Sequence, residues 1–104
     1  ALLEGRQAQD ALKFSEDDLL SYPSDPKAHA LQARTYAMLG NRLQQHRAQA
    51  ESYLLLGQLP LAVEQMELAQ KSGDGNFYEQ SRVDARLREM KLRLAEETRQ
   101  GKQK

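Results

Sequence analysis

Apolar residues recur every three or four positions along most of this chain, a spacing that predicts helices rather than strands. Ala8, Ala11, Leu12, Ser15, Leu19 and Leu20 form the first full stripe, predicting a helix from about Gln7 to Ser21 that Pro23 stops. Leu2 and Leu3 ahead of Gly5 read as the end of an earlier helix. Asp25 is a good N-cap and Pro26 suits a first helical turn, so a second helix is expected from Pro26 to about Leu39. A third should run from Asn41 to Leu56 and a fourth from Pro60 to Lys71, with Val63, Met66 and Ala69 on its apolar face. Gly73-Asp74-Gly75 must turn, because two glycines so close cost a continuing helix about 1 kcal/mol each. Asn76 caps the last helix, and Glu79 completes an Asn version of the capping box. That helix is expected from Phe77 to Thr98, with Val83, Leu87, Met90 and Leu94 as its stripe. Asp84 with Arg88, Glu89 with Arg93 and Arg93 with Glu97 are spaced for ion pairs along it. Residues 99–104 carry no apolar side chain and are expected to be a mobile tail.

A repeat underlies the stripes. Ala50, Tyr53, Gly57, Ala62 and Ala69 fall at the spacings of a tetratricopeptide (TPR) unit. Small residues let its two helices approach, the tyrosine fills the space beside them, and the glycine makes the turn. Ala33, Tyr36 and Gly40 repeat the first half of that pattern 17 residues earlier (50 − 33). Ala11 and Pro23 match the end of a degenerate repeat. The expected fold is all-α: a TPR-like array of about five helices closed by a long C-terminal capping helix. Its parts are a degenerate repeat end (1–25), a half repeat (26–40), a complete TPR (43–72) and the cap (76–98). Two first-type helices in succession break the usual alternation, so the array is expected to change direction there, each helix burying a different face.

Composition narrows the function classes. Fifteen basic and fifteen acidic side chains leave a net charge of +0, with no electrostatic footprint for nucleic acid. No apolar run approaches the roughly 20 residues that span a bilayer, and Ala1 to Asp10 does not read as a secretory signal. With no cysteine there is neither a disulfide framework nor a thiol nucleophile. His29 and His46 occupy equivalent places in the second and third helices, which favours packing over metal binding. Glu16, Asp17 and Asp18 point about 100° apart on a helix and cannot converge on a cation. Ser15, Ser52 and Ser81 lack a base and a glycine-flanked elbow. Catalytic, cofactor and metal sites are therefore all expected to be absent from this region.

A helical-repeat surface offers instead a groove for polypeptides. Inner-face positions of the second and third helices include Arg34, Arg47, Glu51, Leu54 and Leu55, which are the candidate partner-binding residues. The two arginines suit bidentate recognition of a carboxylate or a peptide backbone.

The stretch Ala50-Glu51-Ser52-Tyr53 leading to Gly57, then Ala62-Val63-Glu64-Gln65, then Gln80-Ser81-Arg82-Val83-Asp84-Ala85-Arg86-Leu87-Arg88-Glu89, resembles the C-terminal end of periplasmic M48-family zinc metalloproteases. The resemblance covers about the last half of the chain. It implies a periplasmic, non-catalytic TPR region that docks on its own protease domain and contacts outer-membrane assembly machinery or its clients. The family's His-Glu-x-x-His motif is not found in the 104 residues, so zinc is expected only in a protease domain outside them. On this view the chain, which starts without Met, is a C-terminal piece of something longer. The alternative is an unrelated TPR scaffold that binds peptides or forms homodimers. In either case an uncovered apolar face of the first helix, around Leu2, Leu3, Leu12 and Leu19, favours self-association.

Overall fold

Two congruent turns set the architecture. Gly40 and Gly57 both adopt the left-handed conformation, at φ 76° and 77°, a region that costs other residues about 1–2 kcal/mol. After Gly40, the Asn41 N–H donates to the Tyr36 carbonyl at 3.0 Å; after Gly57, the Gln58 N–H donates to the Tyr53 carbonyl at 2.9 Å. Gly40 and Gly57 donate in the same way to the carbonyls of Ala37 and Leu54. Each is the double hydrogen bond of a Schellman motif, repeated at the 17-residue offset read from the sequence.

The computed structural model describes residues 2–102, with side chains described for 5–14 and 16–100. It contains five α-helices: α1 (Leu2–Ser21), α2 (Pro26–Met38), α3 (Arg42–Leu55), α4 (Leu59–Gln70) and α5 (Phe77–Lys102). The all-α fold class is as expected, and no strand occurs among the described residues. Two limits differ from the sequence reading. There is no break near Gly5: α1 is continuous from Leu2, because one helical glycine costs less than nucleating a new helix. At the other end α5 continues past Thr98 to Lys102, and only Gln103 and Lys104 of the expected tail lie outside the described residues.

Packing runs in chain order, each helix against the next, and the stack is elongated, at 55 × 29 × 19 Å. One core joins α3, α4 and α5: Leu43 and Ala50, then Ala62, Val63, Met66 and Ala69, then Val83, Leu87 and Met90. The stripes assigned to helices four and five thus face each other. Contacts between α2 and its neighbours use smaller side chains, with Ala28, Ala33 and Ala48 all buried. The buried Ser52 hydroxyl donates to the Pro26 carbonyl at 2.9 Å, tying the end of α3 to the start of α2. Buried positions of α2 and α3 coincide at the offset for Ala33 with Ala50 and Thr35 with Ser52. They diverge in the first turns, where α2 buries Ala28 and α3 buries Leu43.

The turn into α5 is built by side chains. Asn76 accepts from the Glu79 N–H at 2.8 Å, and Glu79 accepts from the Asn76 N–H at 3.2 Å, the reciprocal capping box. Asp74 accepts from the Arg42 N–H at 2.7 Å, so the same turn satisfies a free donor at the start of α3. Asn76→Ala should cost about 1 kcal/mol. Glu79→Ala should cost more, since it also removes a bond from Gln44. Urea midpoints at unchanged m-value measure both; equal costs would mean the Gln44 bond contributes nothing.

The ion pairs expected along α5 do not form. Asp84 accepts from Gln70 of α4 at 2.9 Å, Glu89 pairs with Arg86 at 3.0 Å, and Arg99 pairs with Glu96 at 3.1 Å. Arg86 and Gln70 are closer competitors than the partners one turn away, and exposed pairs along a helix gain only a few tenths of a kcal/mol.

Candidate partner-binding clefts

Arg47 and Glu51 lie one turn apart on α3, and Arg82 and Arg86 lie one turn apart on α5, so the crossing of the two helices brings all four together. Arg86 grips Glu51 as a fork, Nε to Oε1 at 2.9 Å and Nη2 to Oε2 at 3.1 Å, and also reaches Glu89. These hydrogen bonds to Glu51 raise the Arg86 pKa above its ordinary value. Two clefts meet here. The first, of about 280 Å³, runs between Glu51 and Glu89 beside Arg47, Arg82 and Arg86. The second, of about 360 Å³, lies between α1, α2, α3 and α5, with Leu19, Gln32, Tyr36, Arg47 and Arg82 in its walls. Arg47 and Arg82 line both.

A polar relay crosses the second cleft. Arg47 donates through Nε to the Gln44 side-chain oxygen and through Nη2 to Gln32 at 3.5 Å. Gln44 donates in turn to Glu79 at 2.6 Å, which holds the cap of α5. Burial lowers the Arg47 pKa, opposed by the nearby Tyr36 and Glu51, and burial raises that of Tyr36. The guanidinium presents N–H donors to the cleft, and the Tyr36 hydroxyl is a further donor there.

Only part of the sequence-derived set converges. Arg47 and Glu51 line the clefts. Arg34 sits in a separate cleft beside Ala30, Ala37 and Gln45. Leu54 is half-buried against the core, and Leu55 is exposed. The second and third helices therefore turn their two arginines to different faces. Arg82, Arg86, Gln32 and Tyr36 were not among the candidates; the i,i+4 spacing of Arg82 and Arg86 on a helix that must cross α3 was the signal for them.

His29 donates from Nε2 to the Pro23 carbonyl at 3.2 Å, and its buried Nδ1 has no hydrogen-bond partner among the described residues. His46 meets Gln65 at 2.9 Å. Among the described residues no three His, Asp or Glu side chains are grouped to hold a metal, and no helix is long and apolar enough to cross a membrane. Chemically, the clefts offer charged and amide hydrogen-bond donors.

No protein-family model matches the chain. Over 91 residues, 88% of its length, it is 35% identical to the beta-barrel assembly-enhancing protease of Yersinia pestis. The chain is thereby related to a segment of that protease, and it spans 19% of its length.

Proposed function

We propose that this region is a TPR-like protein-interaction module in a periplasmic M48-type protease that acts in outer-membrane protein assembly and quality control. The observation that carries the reading is the 35% identity to the Yersinia protease over nearly the whole chain. The module recruits partners or clients through the Arg47–Arg82 clefts and docks on the protease domain, which supplies zinc and catalysis; no residue here takes part in bond cleavage. The repeated turns at Gly40 and Gly57 support the repeat assignment. The divergent first turns of α2 and α3 support a change of direction between them.

A photoreactive residue at Ala85, in the cleft wall, and another at exposed Arg93 test this within the full-length parent protein. Crosslinks from Ala85 to outer-membrane assembly proteins, with none from Arg93, are the expected outcome. Crosslinks only between copies of the chain through Arg93 would replace this reading with a homodimeric scaffold.

Self-association of the isolated chain is the companion prediction, but through different residues from those expected. Leu12 and Leu19 are half-buried, and the side chains of Leu2 and Leu3 lie outside those described. Among the described side chains of α1, Phe14 and Leu20 are the exposed large apolar ones, at 67% and 84%. Sedimentation should show mass rising with concentration, and Phe14→Lys with Leu20→Lys should return a monomer.

A further inference from the structure

We propose that the cleft beside Arg34 binds an extended, acidic segment of a partner polypeptide, whose main chain is read by glutamine amides. This surface is separate from the clefts of Arg47 and Arg82. On α3, Gln45 and Gln49 lie about 150° round the helix axis from Gln44, Arg47 and Glu51, at about 100° per residue. The cleft has a volume of about 200 Å³ and takes its walls from α2, α3 and α4.

Its amides are spaced for a main chain. Gln45 and Gln49 are one turn apart, about 6 Å along α3, and alternate residues of an extended chain are about 6.6 Å apart. A carboxamide holds an acceptor oxygen and two N–H donors in one plane. Each glutamine can therefore pair with the N–H and C=O of one residue, and the two together with residues i and i+2 of the same strand. Among the described residues, neither side chain has a hydrogen-bond partner of its own. Gln65 lines the cleft from α4, and His46 Nδ1 meets its Oε1 at 2.9 Å, which fixes that amide and leaves its NH₂ group for a ligand. The α2 wall is made of short side chains, Ala30 and Ala37, so a chain can be laid across it to reach the amides.

Arg34 gives the cleft its sign. It is exposed, takes part in no ion pair, and no acidic side chain lines the cleft among the described residues. The clefts at the crossing of α3 and α5 differ, since Glu51, Glu79 and Glu89 stand in their walls. A segment carrying Asp or Glu opposite Arg34 thus meets unopposed positive charge, and a basic segment is repelled. The neutral amides add affinity without reading side chains, as main-chain recognition does in general.

The test uses the full chain and three fluorescein-labelled, C-terminally amidated nonapeptide libraries, followed by fluorescence anisotropy. The first has a central Glu among neutral residues, the second is the same with every main-chain N–H methylated, and the third has Gln in place of the Glu. The first is expected to bind about tenfold or more tightly than the second, the scale of two hydrogen bonds. It should exceed the third by about threefold, the scale of an exposed ion pair. Gln45→Ala with Gln49→Ala should weaken binding of the first library about tenfold or more, with helicity by circular dichroism unchanged. Arg34→Gln, at an exposed position, should remove the difference between the first and third libraries, while Arg82→Gln and Arg93→Gln should leave all binding as it was. Binding to no library, equal binding of the methylated one, indifference to the paired glutamine substitutions, or a preference for Glu that survives Arg34→Gln would each overturn the proposal. Binding lost in Arg82→Gln and kept in the glutamine double variant would place the peptides in the other clefts; the surface at Arg34 would then fail and the proposed function would stand.

Discussion

Gly75→Ala is expected to destabilise the protein by about 3 kcal/mol, and by clearly less when Leu43 has first been replaced by alanine. Two costs combine at Gly75. Its φ of +86° is a conformation that charges other residues about 1–2 kcal/mol. A Cβ there would also stand 2.8 Å from Cδ1 of Leu43, well inside the 3.5–4.0 Å at which carbons pack. Leu43 has no exposed surface and belongs to the core shared by α3, α4 and α5, so it cannot swing aside freely. Overpacking of this kind costs about 1–3 kcal/mol. Leu43→Ala alone should cost about 2–5 kcal/mol, because it opens a cavity in that core. In the double variant the new methyl enters vacated space, and only the backbone cost remains. A four-member urea denaturation cycle should therefore show about 1 kcal/mol or more of favourable coupling. Additivity within about 0.5 kcal/mol would show that the α4–α5 turn does not press on Leu43.

Leu87→Asp is expected to abolish cooperative folding of the chain. Leu87 is buried on α5 between Val83 and Met90, against the core of α3 and α4. A carboxylate there would find no cation in that apolar cluster, and unpaired buried charge belongs to the small class of changes that cost more than about 4 kcal/mol. Domains of this size have only about 5–15 kcal/mol in total. Detaching α5 would in addition expose Val63, Met66 and Ala69 of α4, so the loss spreads beyond one helix. Leu92→Asp is the control on the same helix, at a position 67% exposed, and should stay within about 0.5 kcal/mol of the parent. Thermal melts by circular dichroism separate the two; a Leu87→Asp melt within a few degrees of the parent would show that α5 is dispensable to the core.

Both predictions turn on α5, and α5 also shows how far local reasoning reaches. Its start was legible because the capping box closes within three residues, from Asn76 to Glu79. The Gly40 and Gly57 turns were legible for the same reason, since each hydrogen-bond pattern spans only six residues. Electrostatic partners were not. Arg86 finds Glu51 across 35 residues of sequence, while the one-turn neighbours Asp84 and Arg88 stay apart. Nothing in the spacing of charges along a helix tells which of them a crossing helix will meet.

Periodicity, caps and turn glycines by themselves determined that the chain is all-α, to within a residue where α2 to α5 begin, and which stripes of α4 and α5 are buried. Each of those properties is decided by interactions among near neighbours, or by the need to hide an apolar face from water. Only the tertiary structure decided that α1 runs on through Gly5 and that Arg34 and Arg47 face different clefts. It also decided that Arg47 and Arg82 line the same two clefts. These depend on the angle at which one helix crosses another, which is set by side-chain packing summed over the whole interface.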